Sequence, residues 1–379
     1  MSSDSLLTII NQLNQASHES ESNTSPSMSQ EYAFNHNFDS ISLELTDSLI
    51  PLAQKEHPNS LITMIQQIRR QIFQTFGFVV PRIKIIDNLS IEDKLYRICL
   101  YGQVITQFKL YIDRKLVISP SGMITEDFPG IHVQEPSFNM PASWIMNNDI
   151  TEEIQEHYLV VDPVHVLRAH ILEILQQHMH ELFDYHALQE VLSRVTQREP
   201  LLIHALHQSD FSLPKLIHVL RDLLKNQIAI YDMSSIIHTC LYYDKQSESI
   251  EDIIEHVRQS LARFITHRYI NEEEQFNFIQ LDPELEQYIM RYCNQASTDT
   301  SPLQPVLANI RVQLKEVIDQ WQTESEPAML IFSSATVRKC LDDFFHKSDL
   351  KVAVLFIKEI LPHTTLQPVA HIKSMNDMM

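Results

Sequence analysis

Glycine is almost missing from this chain. Four occur in 379 residues: Gly77, Gly102, Gly122 and Gly130. Neither GxxxxGKS/T nor GxGxxG can be written anywhere, so the backbone loops that cradle nucleotide phosphates are excluded. Basic residues are also scarce. Twenty-nine Lys and Arg face 49 Asp and Glu, a net charge of −20. A nucleic-acid binder needs a basic face to displace counterions from phosphates, and an anionic membrane attracts the same sign. Both partner classes are disfavoured, and a neutral or basic partner is favoured. The four cysteines (Cys99, Cys240, Cys293 and Cys340) lie far apart and form no CxxC pair. They read as reduced, buried thiols of a cytosolic protein. No run of about 18 apolar residues occurs, so no segment is expected to span a bilayer. The N-terminus has no basic stretch followed by an apolar one, so no signal peptide is expected.

What is present is an ordinary globular composition, 44% hydrophobic and 21% charged. The length suits two to four domains. Residues 1–40 are rich in Ser, Asn, Gln and Glu and read as a flexible arm, with a short helix possible at "SLLTIINQLN". "ISLELTDSLIPLA" alternates like a strand. Ser60 then caps a helix whose apolar face is Leu61, Met64, Ile65, Ile68, Ile72, Phe73 and Phe76. Gly77 sits where a left-handed residue ends a helix. "FVVPRIKII" follows as a strand, placed at an edge or bulge by Pro81. "YRICLYG", "VITQFKLYI" and "KLVIS" are further strands. Asp162 and Pro163 open a helical regime that runs to about residue 268, with further caps at Ser212, Asp232 and Ser249. "FNFIQL" is a strand and Asp282-Pro283 starts a helix. After the linker "NQASTDTSPLQP" comes a small α/β unit: helix "VLANIRVQLKEVIDQW", strand "AMLIF", helix "TVRKCLDDFF", strand "KVAVLF" and a strand near "LQPVAHI".

Chemistry is hard to find. Nineteen histidines include His178 with His180 and His204 with His207, but no HExxH exists and nothing completes a tetrahedral metal set. These histidines read as surface or interface groups, able to respond to pH near 6. Ser212 to Lys215, "SLPK", matches SxxK but is better explained as a cap, a first-turn proline and a solvated lysine. "IED" at 91–93 and "NEEEQ" at 271–275 read as solvated carboxylates. No catalytic, cofactor or metal site emerges, and an enzyme is not expected.

The best-defined stretch, "IRRQIFQTFGFVVPRIKIIDN" followed by "YRICLYG", resembles the cytoplasmic region of the flagellar and type III secretion export-gate family (FHIPEP). "LIPLA" looks like the family's "LIP" strand, and "EPSFNMPASWI" at 135–145 like its "DPAFGLPAxWI". "YLVVDPVHVLRAHILEIL" looks like the family's "GYTVVDPxTVxATHL". "LQEVLSRV", "LPKLIHVLRDLLKNQIAIYDMSSII" and "FIQLDPELEQYI" follow in the family's order. The match is good over about 41–290 and looser beyond, and its pattern is closer to the flagellar branch than to the injectisome branch. It departs where "GRQE" is replaced by "DYHALQE" and where "ATHL" becomes Arg168-Ala169-His170-Ile171.

The resemblance implies an α+β multidomain fold of four subdomains. After the arm at 1–40 these are a mixed α/β subdomain (41–112 and 162–182), an inserted β-rich subdomain (113–161), a helical subdomain (183–268) and a C-terminal α/β subdomain (269–379). It implies a docking platform in a nonameric ring that receives export chaperones with their substrates, alongside other export-apparatus components. The cytoplasmic portions of this family hang from an inner-membrane domain, which this stretch does not contain. The chaperone-docking dimple of flagellar members uses the acidic residue and Phe of "DPAF" and the Thr of "ATHL", here Glu135, Phe138 and Ala169. Ala169 lacks the hydroxyl, which bears on docking strength or partner choice. Phe138 read without the resemblance is a core aromatic. A soluble adaptor sharing the fold is the alternative function, with an unrecognised hydrolase a distant third.

Overall fold

The computed structural model describes residues 39–53, 60–119, 124–125, 127–246, 248–271, 274–294, 303–321, 328–346, 350 and 352–373. The expected short helix at "SLLTIINQLN", and the arm as far as residue 38, lie outside them.

The chain opens with β1 (Ile41–Leu45). "DSLIPLA" does not continue it. Asp47–Ala53 is a 3-10 helix containing Pro51, which has no N–H to give a ladder. The expected strand at "LIPLA" is therefore corrected to a helical turn. Helix α1 (Leu61–Phe76) follows, its buried face formed by Leu61, Met64, Ile65, Ile68, Ile72 and Phe76. Ser60 precedes α1, but its side chain makes no cap bond. At the other end Gly77 takes φ +92 and its N–H reaches the Phe73 carbonyl at 3.0 Å. A β-carbon there would stand 3.1 Å from the Tyr231 backbone nitrogen, so both the turn and the close approach require glycine.

Phe78 and Val80 enter the core as the chain runs toward β2, which begins only at Ile83 and ends at Asp87. Pro81 is thus spared a place in the ladder. With β3 (Leu95–Leu100) and β4 (Gln103–Lys109) these strands form a sheet in the order β2-β1-β3-β4. β1 runs parallel to β2 and antiparallel to β3.

A second sheet is antiparallel, in the order β6-β7-β5-β8. Its strands are β5 (Arg114–Ile118), β6 (Ile131–Gln134), β7 (Pro141–Met146) and β8 (Leu159–Val161). The short helix α2 (Glu152–His157) leads into β8.

Helices then fill the chain: α3 (Pro163–Gln177), α4 (Met179–Leu182), α5 (Tyr185–Arg198), α6 (Pro200–Gln208), α7 (Leu213–Lys225), α8 (Met233–Asp244), α9 (Ile250–Ser260) and α10 (Ala262–Tyr269). Pro163 is the first residue of α3, while the Asp162 side chain makes no cap bond and approaches Lys115 at 3.5 Å. Ser212, Asp232 and Ser249 do cap, accepting from Lys215, Ser235 and Asp252 N–H groups, which satisfies donors a helix start leaves open.

The third sheet is parallel, in the order β11-β10-β9-β12, from β9 (Gln275–Leu281), β10 (Ala328–Phe332), β11 (Val352–Phe356) and β12 (Thr365–Ile372). Alternation along it feeds two cores. Phe276, Met329 and Leu355 join the core shared with the helical array. Ile279, Leu330, Phe332 and Val354 face a separate core with Leu285, Leu307, Ile310 and Leu341, from helices α11 (Pro283–Asn294), α12 (Gln304–Trp321) and α13 (Ala335–His346). Coverage on both faces is what parallel sheets need. The whole is an α+β multidomain fold.

Candidate functional site

The residues brought together by sequence reasoning fall on the β6–β7 loop and on α3. Glu135 follows the last residue of β6. Its N–H donates to the Met140 carbonyl at 2.8 Å and its carbonyl accepts from Asn139 at 2.9 Å. The chain reverses through Asn139 at φ +58, a left-handed conformation that Asn tolerates better than most residues. The Glu135 side chain is only 3% exposed. One carboxylate oxygen accepts from the Ser137 N–H at 2.9 Å and the other from the Phe138 N–H at 2.7 Å. Charge-assisted bonds of this kind are stronger than neutral ones. Glu135 is thus spent on holding its own loop, which sets the position of Phe138. The Phe138 side chain is 49% exposed, unlike the core aromatic that its type suggests.

Ala169 is half-buried on α3. Its neighbour His170 is 2% exposed and ties α3 to the first sheet. Tyr96 on β3 and His170 Nδ1 are hydrogen-bonded at 2.6 Å, and Thr106 on β4 approaches Nε2 at 3.3 Å. From Tyr96 an aromatic series runs into the second sheet: Phe108 at 6.3 Å, then Trp144 at 6.5 Å, then Tyr111 at 5.7 Å from Trp144. Burial, and then the charge of Glu135, push the Tyr96 hydroxyl well above its usual range. Glu135 and the α3 end of this series therefore act on one tyrosine. The structure joins Glu135 and Phe138 in one loop, while Ala169 lies on α3 next to the His170 that bonds Tyr96. Sequence reasoning missed Tyr96, His170, Phe108 and Trp144 as the support of the site. Tyr96 and His170 stand in the quoted segments "YRICLYG" and "LRAHIL", but nothing local marks them as a pair.

This support titrates. Burial lowers His170 to about 4, so its imidazole is neutral in the fold. The unfolded chain takes up that proton at its ordinary pKa, near 6.5, and the folded chain only near 4. Stability therefore falls as pH drops through that window, by at most roughly 3 kcal/mol from this group. Thermal melting at pH 7 and pH 5 is expected to show the loss, and His170→Gln should flatten the slope.

The other candidates behave as solvated or structural groups. His178 and His180 share Glu181, at 2.8 and 3.8 Å. His204 and His207 are exposed on α6. Among the described residues no three ligands converge to hold a metal. Ser212 is a cap, and Lys215 pairs with Asp244 at 2.7 Å. Glu92 pairs with Lys109. Asn271 accepts from the Gln275 N–H at 2.8 Å, while Glu272 and Glu273 lie outside the described residues. Cys99 and Cys240 are buried and in no disulfide, and Cys340 is half-buried. Burial pushes the Cys240 thiol up to about 12, which leaves it inert.

Comparison with known proteins gives a consistent picture. A model of the FHIPEP family matches residues 5–365. The flagellar biosynthesis protein FlhA of Bacillus subtilis is 30% identical over 315 residues, covering 81% of this chain and 46% of that protein. FlhA of Escherichia coli is 29% identical over 336 residues, covering 88% and 48%. The chain thus spans about half the length of these relatives. Among solved structures, the Chlamydia pneumoniae CdsV protein superposes with a TM-score of 0.72 at 21% identity, covering 88% of this chain and 97% of that one. The nonameric EscV cytosolic domain of a type III secretion system does so at 0.67 and 18%, covering 89% and 98%.

Proposed function

Because this chain belongs to the FHIPEP family, we propose that it is the cytoplasmic docking platform of a flagellar-type protein export gate, receiving export chaperones loaded with their substrates. The observation that carries this reading is the Phe138 loop. A large apolar side chain is held half out of the fold by a buried carboxylate bonded to two loop N–H groups. Rigid aromatic anchors of this kind dominate binding energy at protein interfaces. The net charge of −20 suits partners that are neutral or basic.

In this reading Glu135 works indirectly, by presenting Phe138, and Ala169 of α3 contributes from the first subdomain. The second sheet falls within 113–161, which supports treating that stretch as a subdomain inserted into the first. The likeness to the nonameric EscV cytosolic domain supports a homo-oligomeric ring for this chain too, associating weakly in isolation. Among the described residues no helix is long and apolar enough to cross a membrane, and attachment to the inner membrane would come from the part of the relatives that this chain does not match.

The test is a calorimetric titration of the purified chain with export chaperone–substrate complexes. Saturable binding at micromolar concentrations is expected. Absence of heat with every chaperone complex of the source organism would overturn the docking reading in favour of the adaptor.

A further inference from the structure

A cavity of about 350 Å³ opens on the helical array, on other elements than the Phe138 loop. It lies between the start of α6, with Glu199 and Leu202, the first turn of α8, with Ser234 and Ser235, and Ser260, the last residue of α9. Its volume is at the lower end for ligand sites, which run from roughly 300 to 1,000 Å³. Its lining is unlike theirs, since Leu202 is the sole hydrophobic side chain in it. An apolar ligand would bury little there, and taking so many polar groups out of water costs free energy unless the occupant bonds to them.

What those groups can bond is fixed by where their protons already go. Ser234 donates to Glu199 Oε1 at 2.5 Å, Ser235 to Asp232 Oδ2 at 2.7 Å and Ser260 to the Val257 carbonyl at 2.7 Å. A serine hydroxyl has one proton and two lone pairs. With the proton spent, each hydroxyl can only accept, and so can the Glu199 carboxylate. The electrostatics have the same sign. Among the described residues no Lys or Arg lines the cavity. Ser260 closes α9, and the carbonyl end of a helix carries partial negative charge. The opposite end of α8 is already answered by Asp232, which accepts from the Ser235 N–H at 3.0 Å. The cavity therefore suits a cation with several N–H donors and no acceptor. Guanidinium, planar with five donors, meets acceptors spread over three helices better than an ammonium, whose three donors diverge from one nitrogen. The net charge of −20 draws basic segments toward the chain.

We propose that this cavity takes the arginine side chain of a basic partner segment, as a contact point separate from the Phe138 loop. The inference stands whether or not Phe138 docks a chaperone.

Methyl NMR of the full chain tests it, with N-acetyl-arginine N-methylamide as the probe and its lysine counterpart at equal ionic strength. The arginine compound should shift the Leu202 methyl signals saturably in the millimolar range and leave those of Leu100 on β3 in place. The lysine compound should bind at least about fivefold more weakly. Glu199 is exposed, so Glu199→Gln spares the core and keeps an acceptor for Ser234 while removing the charge. It should weaken the arginine compound by about fivefold. Thr239, which also lines the cavity, offers a second variant: Thr239→Arg supplies a guanidinium from α8 and should abolish the shift. A shift that never saturates, equal binding of the two compounds, or full affinity in Glu199→Gln would each overturn the proposal. Agmatine is the third arm, and tighter binding of this free guanidinium than of the capped arginine would overturn the partner segment as its source.

Discussion

Replacing Ile68 by Asp is expected to abolish the cooperative melting of this protein or to lower its midpoint by about 10 °C or more. Ile68 is fully buried on α1, in one core with Ile41, Phe76, Tyr96 and Leu167. The substitution removes the apolar contacts of an isoleucine and buries a carboxylate. Among the described residues, the cation nearest in sequence on the helix, Arg69, already donates to the Val80 carbonyl at 2.9 Å. Burial of an unpaired charge together with lost packing costs about 4 kcal/mol or more. Domain stabilities are only about 5–15 kcal/mol in total. For a unit of roughly 150–250 residues each kcal/mol shifts the midpoint by roughly 2–4 °C. Ile68→Val removes one methylene, costs about 1 kcal/mol, and serves as the control. Circular dichroism melts of the three proteins decide the matter. An unchanged midpoint for Ile68→Asp would contradict the packing of α1.

Several features of the fold are legible in the sequence because their causes are local. Gly77 ends α1 since only glycine takes that φ easily, and Pro163 starts α3 because its fixed φ suits a first helical residue. Ser212, Asp232 and Ser249 announce helix starts through bonds that reach three residues ahead. Where the cause is not local, the sequence misleads or is silent. "LIPLA" looks strand-like by alternation, yet Pro51 and the buried Leu49 and Leu52 make it a helical turn. The strands β6 and β8 have four and three residues, and their identity comes from the neighbours they pair with rather than from propensity.

The candidate site divides in the same way. Glu135 and Phe138 are found through the motif that contains them, but that the carboxylate turns inward onto its own loop is a property of the folded loop. Tyr96 and His170 are 74 positions apart, and no pattern in either segment couples them. Arg258 did leave a trace. It falls on the same buried stripe of α9 as Ile254, where a charged residue is out of place unless paired. Its partner Glu359, 101 residues away, could be supplied only by the structure.

The account rests most directly on Phe138, and one measurement tests it. Phe138 is half-exposed and its backbone N–H is held by Glu135, so truncating the ring leaves the loop's hydrogen bonds in place and should cost the fold little. The same truncation removes an aromatic anchor, and such anchors typically account for about 2 kcal/mol or more of binding. That amount corresponds to a factor of roughly thirty in affinity. Titration calorimetry of wild type and Phe138→Ala with one chaperone–substrate complex, with the melting of both proteins recorded alongside, is the decisive comparison. The expected result is at least a tenfold weaker Kd for Phe138→Ala with a midpoint within about 2 °C of wild type. Equal affinity in the two proteins would place docking elsewhere on the surface, and a collapsed melting transition would return Phe138 to the core; either contradicts the account.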